Sequence, residues 1–121
     1  MGTIRVKRAY DPITAEDGHL FLVDRLWPRG IKKESLSSAA WIKEAAPSNA
    51  LRKWFGHDPL RWEEFRERYA QELLQHRETL EPIRHALKKG PVTLLYSAKD
   101  SEHNNAVVLA EFLRHPPRSE G

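Results

Sequence analysis

Leu20-Phe21-Leu22-Val23 runs straight into Asp24-Arg25-Leu26-Trp27-Pro28-Arg29-Gly30, and Val92-Thr93-Leu94-Leu95-Tyr96 runs into Ser97-Ala98-Lys99-Asp100-Ser101. Both runs are short and apolar on consecutive positions, the pattern of a strand covered on both faces in a largely parallel sheet. Both end in polar residues. Pro28 forbids further pairing and Gly30 permits a sharp change of direction. Helical patterns lie between the two runs, so they read as a parallel pair joined by a right-handed crossover. The expected fold is a single small α/β domain over residues 3–115, with a mostly parallel sheet of three or more strands flanked by helices. Residues 116–121, opening on Pro116-Pro117, read as a disordered tail.

Working outward, residues 3–10 alternate in the two-residue rhythm of a strand, with Ile4 and Val6 on one side and Arg5 and Lys7 on the other. Asp11-Pro12 breaks it, and Glu16-Asp17-Gly18 supplies turn chemistry. The connection 11–18 is short for a helical crossover, so this strand is compatible with either edge of the sheet. After Gly30, Ser37 or Ser38 is expected to cap a short helix through Trp41, and Pro47-Ser48-Asn49 to interrupt it before a second piece over 50–55. Asp58-Pro59 is a strong helix start, because the carboxylate accepts from free amides and proline needs no donor in a first turn. Leu60, Phe65, Tyr69, Leu73 and Leu74 then recur at helical spacing. Pro82 opens a further helical segment that Gly90 stops, and residues 105–113 carry a last helical stripe.

The chain of 121 residues is long enough to bury one core, and at 40% hydrophobic it folds rather than staying disordered. Cysteine is absent, which excludes a disulfide framework, a thiolate metal site and a cysteine nucleophile. No segment reads as a signal peptide or a membrane span, so the expected location is cytoplasmic, with no membrane partner. Lys and Arg outnumber Asp and Glu by 20 to 17 and the pI is about 9.3, but the signs are interleaved rather than clustered.

Ligands of open parallel sheets gather at the carboxyl ends of strands, where loops diverge and helix amino termini point inward. Both strand-end segments fall there. Arg25 and Arg29 can grip a carboxylate or phosphate through paired donors, Lys99 adds charge, and amides near residues 100–102 add to the same field. The competing structural role is internal pairing of the two arginines with Asp24, Asp58 or Asp100. Asp24, Asp100 and His57 are the candidates for acid–base work. Trp27, in the polar loop itself, is the best placed of four tryptophans to stack on a ligand, whereas Trp54 and Trp62 read as core. Ser97 lacks a nucleophile elbow, and the histidines lack metal-site spacing.

Val23-Asp24-Arg25-Leu26-Trp27-Pro28-Arg29-Gly30, Ala46-Pro47-Ser48, Leu51-Arg52-Lys53-Trp54-Phe55 with His57-Asp58-Pro59, Thr93 through Asp100, and Asn104-Asn105-Ala106 together resemble the YeaO-like family, domain of unknown function 488. The resemblance covers residues 5–113. It brings no established activity, but it implies that Arg52, His57 and Asp58 face the same crevice. More distant relatives of the larger group carry a cysteine after the last strand. This chain has none there, so thiol chemistry does not transfer.

The function expected is binding of a small anionic ligand, a nucleotide or phosphorylated metabolite, at the strand carboxyl ends. Its ligand-binding residues would be Arg25, Trp27, Arg29, Arg52, Ser97, Lys99 and Asn104. The first alternative is a nucleic-acid-binding or regulatory module, although no nucleic-acid motif supports it. The second is a metal-dependent hydrolase using Asp24, His57 or His103. No cofactor is assigned, and an exposed tryptophan patch would suit a homodimer.

Overall fold

A computed structural model describes residues 2–115. The tail expected over 116–121 lies outside the described residues. Four strands, β1 (Ile4–Arg8), β2 (His19–Leu22), β3 (Ala39–Trp41) and β4 (Val92–Tyr96), form one wholly parallel sheet in the order β1-β4-β2-β3. Four helices, α1 (Asn49–Phe55), α2 (Trp62–Gln75), α3 (Glu81–Leu87) and α4 (Asn105–Arg114), complete an α/β domain. Among the described residues no helix is long and apolar enough to cross a membrane.

The two faces of the sheet are covered unequally. Phe21, Val23, Val92, Leu94 and Tyr96 face a core to which all four helices contribute, with Phe65, Tyr69, Ile83 and Leu109 among its most buried members. Leu20, Leu22 and Leu95 point the other way and are covered by Leu36, Trp27 and Ile31, which come from loops and a 3-10 turn. The consecutive apolar residues of β2 and β4 are thus explained, because alternation presents one half to helices and the other half to loops.

β1 pairs with β4, and the chain reaches β2 over the loop-covered face. Returning along five residues and passing one neighbour requires roughly 20 Å, well within the ~33 Å reach of residues 9–18, so no helix is needed. Buried Asp17 fastens this crossing. Its carboxylate accepts from Lys7 Nζ (2.8 Å) and the Thr14 amide (2.8 Å), and its carbonyl accepts from Thr93 Oγ1 (2.8 Å). Those bonds, the lysine's foremost, hold the Asp17 carboxyl below its ordinary value. Gly18 is required where the crossing ends: its φ is +69°, and a Cβ there would lie 2.3 Å from the Pro91 carbonyl oxygen.

Two expectations are corrected. Residues 39–41 form an edge strand, not a helix, with Leu20, Phe21 and Leu22 opposite Ala39, Ala40 and Trp41. A single isolated helical turn fixes many dihedrals for one bond, whereas a strand laid on β2 gains a ladder at once. Leu60 is 95% exposed and leaves the apolar stripe. Asp58 caps a 3-10 turn over Pro59–Arg61, whose tighter winding rotates Leu60 outward before α2 begins.

Candidate functional site

The chain leaves β2 toward β3 at one edge and leaves β4 into α4, which packs against β1 and β4. The loops after β2 and β4 therefore diverge, and a cavity of about 630 Å³ opens between them. Asp24, Arg25, Trp27, Arg29, Arg52, His57, Ser97, Lys99, Asp100 and Asn104, all of them catalytic or ligand candidates, lie in its wall, whereas His103, offered for metal-dependent hydrolysis, is not among the residues that line it. Nor is Asp58; it caps Leu60 and pairs with Arg61 at 3.7 Å.

Asp24 clamps the two loops together. Its Oδ2 accepts from the Ser97 amide (2.9 Å) and the Ser97 hydroxyl (2.7 Å), and its Oδ1 accepts from Asn105 Nδ2 (3.1 Å). The same nitrogen donates to the Val23 carbonyl at 2.9 Å, and the Asp24 carbonyl accepts from Trp41 Nε1 at 2.7 Å. Ser97 and Asp24 are close enough for nucleophile and base, but the Ser97 proton is held in a structural bond. Neither His57 nor His103 hydrogen-bonds to either of them among the described residues.

Arg25 is committed differently from either role expected of it. Its Nε donates to the Pro47 carbonyl (3.1 Å) and its Nη2 to the Ala46 carbonyl (3.3 Å). A guanidinium between two carbonyls keeps its charge while fixing the segment that leads into α1. Ser48 then caps α1 by accepting from the Leu51 amide, and is itself gripped by Glu72 of α2 through its amide (2.8 Å) and hydroxyl (2.6 Å). This fastening sets where Arg52 emerges, one turn into α1. Arg29 and Lys99 are exposed, and among the described residues neither side chain makes an ion pair or hydrogen bond; Arg52 reaches only Asn49 Oδ1, at 3.4 Å. Pairing of Arg25 or Arg29 with Asp24, Asp58 or Asp100 is not what holds the loops.

The loop after β4 organises itself. Asp100 Oδ1 accepts from the amides of Glu102 (2.9 Å) and His103 (3.1 Å), its Oδ2 lies 2.9 Å from His103 Nδ1, and its carbonyl accepts from Asn104 Nδ2 at 2.9 Å. The Glu102 amide, and then His103, hold the Asp100 carboxyl below its usual value. Asn104 caps α4 by accepting from the Val107 amide at 3.0 Å. Of the amides expected to greet an anion near residues 100–102, that of Glu102 is spent on Asp100. Asp100, Glu102 and His103 are the one cluster of three possible metal ligands among the described residues, and it includes neither Asp24 nor His57. His103 also packs edge-on against Trp62 at 5.1 Å.

Aromatic and apolar residues make the rest of the wall. Phe55 and Phe65, stacked with centroids 4.3 Å apart, line it with Pro47 and Leu26. Trp27 is half-buried, packs edge-on to Trp41 at 5.4 Å and donates to the Ile31 carbonyl at 2.7 Å. Trp54 and Trp62 are half-buried against the main core. His57 has a φ of +59°, a left-handed conformation uncommon outside glycine and enriched at functional turns. Sequence reasoning placed Asn105 on the working surface but missed Tyr10 as a wall residue. Tyr10 donates to the Arg29 carbonyl at 2.7 Å beneath the Arg8 guanidinium, 4.7 Å from its ring, and Arg8 in turn donates to the carbonyls of Ser97 and Ala98. Nothing local marks Tyr10, whereas Asn105, next to the α4 cap, stood within a quoted motif.

Over residues 3–120 the chain matches the family described as "Inactive DUF488-N3 subclade". It is 50% identical to "Uncharacterized protein YeaO" of Escherichia coli over 111 residues, 92% of this chain and 96% of that protein. It is 39% identical to "Uncharacterized protein Rv3073c" of Mycobacterium tuberculosis over 110 residues, 91% of this chain and 92% of that protein. No solved structure matches.

Proposed function

We propose that this chain, which belongs to the YeaO-like DUF488 family, is a binding domain rather than a catalyst and takes a small anionic ligand, a nucleotide or other phosphorylated metabolite, into the cavity between β2 and β4. The observation that carries this reading is the balance of charge around the cavity. Arg25, Arg29, Arg52 and Lys99 line it against only two carboxylates, Asp24 and Asp100, and both carboxylates are already surrounded by protein donors. None of the four cations is paired with a carboxylate among the described residues. An anion entering this field meets charge that no acid among the described residues has paired with.

Size supports the same reading, since about 630 Å³ lies within the roughly 300–1,000 Å³ range of small-molecule sites. Two observations favour binding over chemistry. The family description carries the word "inactive", and the two carboxylates and the serine are engaged as struts. A nucleophile needs a base that takes its proton, and Ser97 and Asp24 instead hold the two loops together.

Thermal unfolding of the full chain in the presence of nucleoside phosphates, sugar phosphates and inorganic phosphate tests the proposal, because a ligand that prefers the native state raises the melting temperature. At least one phosphate-bearing compound is expected to stabilise the wild type, and the Arg29→Ala/Lys99→Ala double variant is expected to fold yet lose that stabilisation. Undiminished stabilisation in the double variant, or no response to any anion, overturns the reading.

A further inference from the structure

The cavity is polarised along its depth, and this narrows the ligand class. Three of the four cations stand outside: Arg29, Arg52 and Lys99 are exposed, while Arg25 is half-buried with its Nε and Nη2 given to the Pro47 and Ala46 carbonyls. Asp24, Ser97 and Asn105 are only partly exposed, and their remaining capacity is of one kind. Val23 O and Asp24 Oδ1 both accept from Asn105, so the Asn105 nitrogen must face them, and its amide oxygen is left with no donor among the described residues. Ser97 has given its proton to Asp24 and keeps only lone pairs. Asp24 Oδ1 accepts a single bond. The inner end therefore offers acceptors and a negative charge, the outer end offers cations, and Phe55, Phe65 and Trp27 line the space with aromatic surface.

Building on the anion-binding reading above, we infer that the ligand is a nucleoside 5′-monophosphate whose base carries an exocyclic amino group, with the base inward and the phosphate at the rim. An anion cannot sit at the inner end beside Asp24, which fixes the ligand's polarity. An amino group supplies the N–H donors that Asn105 Oδ1, Ser97 Oγ and Asp24 Oδ1 lack, while a keto group in its place would set acceptor against acceptor. The planar base suits a wall of aromatic rings, where a sugar phosphate alone would bury hydroxyls against apolar carbon.

Calorimetric titration of the full chain with AMP, GMP, CMP, IMP, UMP, adenosine and ribose 5-phosphate tests the inference. At least one of AMP, GMP and CMP is expected to bind about tenfold or more tightly than the counterpart that lacks its amino group, IMP for the purines and UMP for CMP, the worth of one well-placed hydrogen bond. Ribose 5-phosphate should be weaker than that nucleotide by at least as much. Ser97→Ala should narrow the amino-to-keto preference, whereas Arg29→Ala/Lys99→Ala should weaken all phosphates and leave adenosine unchanged; circular dichroism checks that both variants fold. Equal affinity for keto and amino bases, or ribose 5-phosphate binding as tightly as the nucleotides, overturns this inference while leaving phosphate binding in place. Binding seen only when the nucleotide is part of a single-stranded oligonucleotide also overturns it. Silence from every phosphate-bearing compound removes both this inference and the reading beneath it.

Discussion

Residues 24–30 are tied almost wholly to distant parts of the chain, whereas residues 97–104 close largely on themselves, although both loops face one cavity. In the first loop Asp24 bonds to Ser97 and Asn105, Arg25 to Ala46 and Pro47, and the Arg29 carbonyl to Tyr10; Trp27 and the Pro28 carbonyl find a near partner, Ile31. In the second, Asp100 gathers the amides of Glu102 and His103, and Asn104 returns to the Asp100 carbonyl. The first loop therefore has its shape only once the sheet and α1 are assembled. The second can form from short-range bonds, whose closure costs little chain entropy. At the cavity, a rigid lip built by tertiary contacts faces one built by local turns.

The strongest way to break the comparison is Asp24→Ala, since Asp24 is where the two loops join. The Ser97 amide and the Asn105 amide group would lose their acceptor, and we expect a loss of about 2–4 kcal/mol in urea unfolding. Asn in place of Asp should not restore it, because one of the two oxygens becomes an NH2 group facing donors. A loss below about 1 kcal/mol would mean that each lip stands without the other.

Arg25→Ala should cost less, about 1–2 kcal/mol, and act on one side only. Hydrogen exchange is expected to quicken at residues 24–30 and 45–48 while residues 100–104 keep their protection. Lysine should not substitute, as it cannot span the Ala46 and Pro47 carbonyls with a planar fork.

Asp100→Asn sharpens the comparison through pH. Its carboxyl is held below the ordinary value, so its stabilisation is present above that value and is lost as pH falls through the folded one. Melting temperatures measured from pH 7 to pH 3 should fall below about pH 4 in the wild type, and less steeply in the variant. Asp17, lowered in the same direction, contributes to the remaining acid limb of both proteins.

The smallest effect on stability belongs to Arg29→Ala and Lys99→Ala, each expected within about 0.5 kcal/mol of wild type because neither side chain has a partner to lose among the described residues. A larger loss would show that these cations serve the fold rather than a ligand.

Much of this molecule is legible without coordinates where the signal is local. The apolar runs of β2 and β4, the Asp58-Pro59 start, Pro82 in the first turn of α3 and the Asn104-Asn105 opening of α4 are all written within a few neighbouring residues. The wall of the cavity was legible for a related reason: strands of a parallel sheet all end on the same side, so polar segments after two neighbouring strands must meet. Ala39-Ala40-Trp41 was not legible as a strand, because its preference comes from β2 lying beside it and not from its own pattern. The outward turn of Leu60 likewise followed from 3-10 winding that helical spacing cannot reveal.

The sequence by itself determined that two buried parallel strands deliver Asp24 and Ser97 to one edge, that the chain holds no thiol, and that Arg25, Arg29 and Lys99 stand on loops that meet, while Arg52 was tied to them only through the family resemblance. Only the tertiary structure decided which of those charges remain free. Arg25 is spent on two carbonyls, Asp24 on Ser97 and Asn105, and the amides of Glu102 and His103 on the Asp100 carboxylate, while Arg29 and Lys99 are left to solvent. The physical reason is that a residue's type sets which bonds it can make, but its competition for partners is settled by groups up to 81 positions away in the chain.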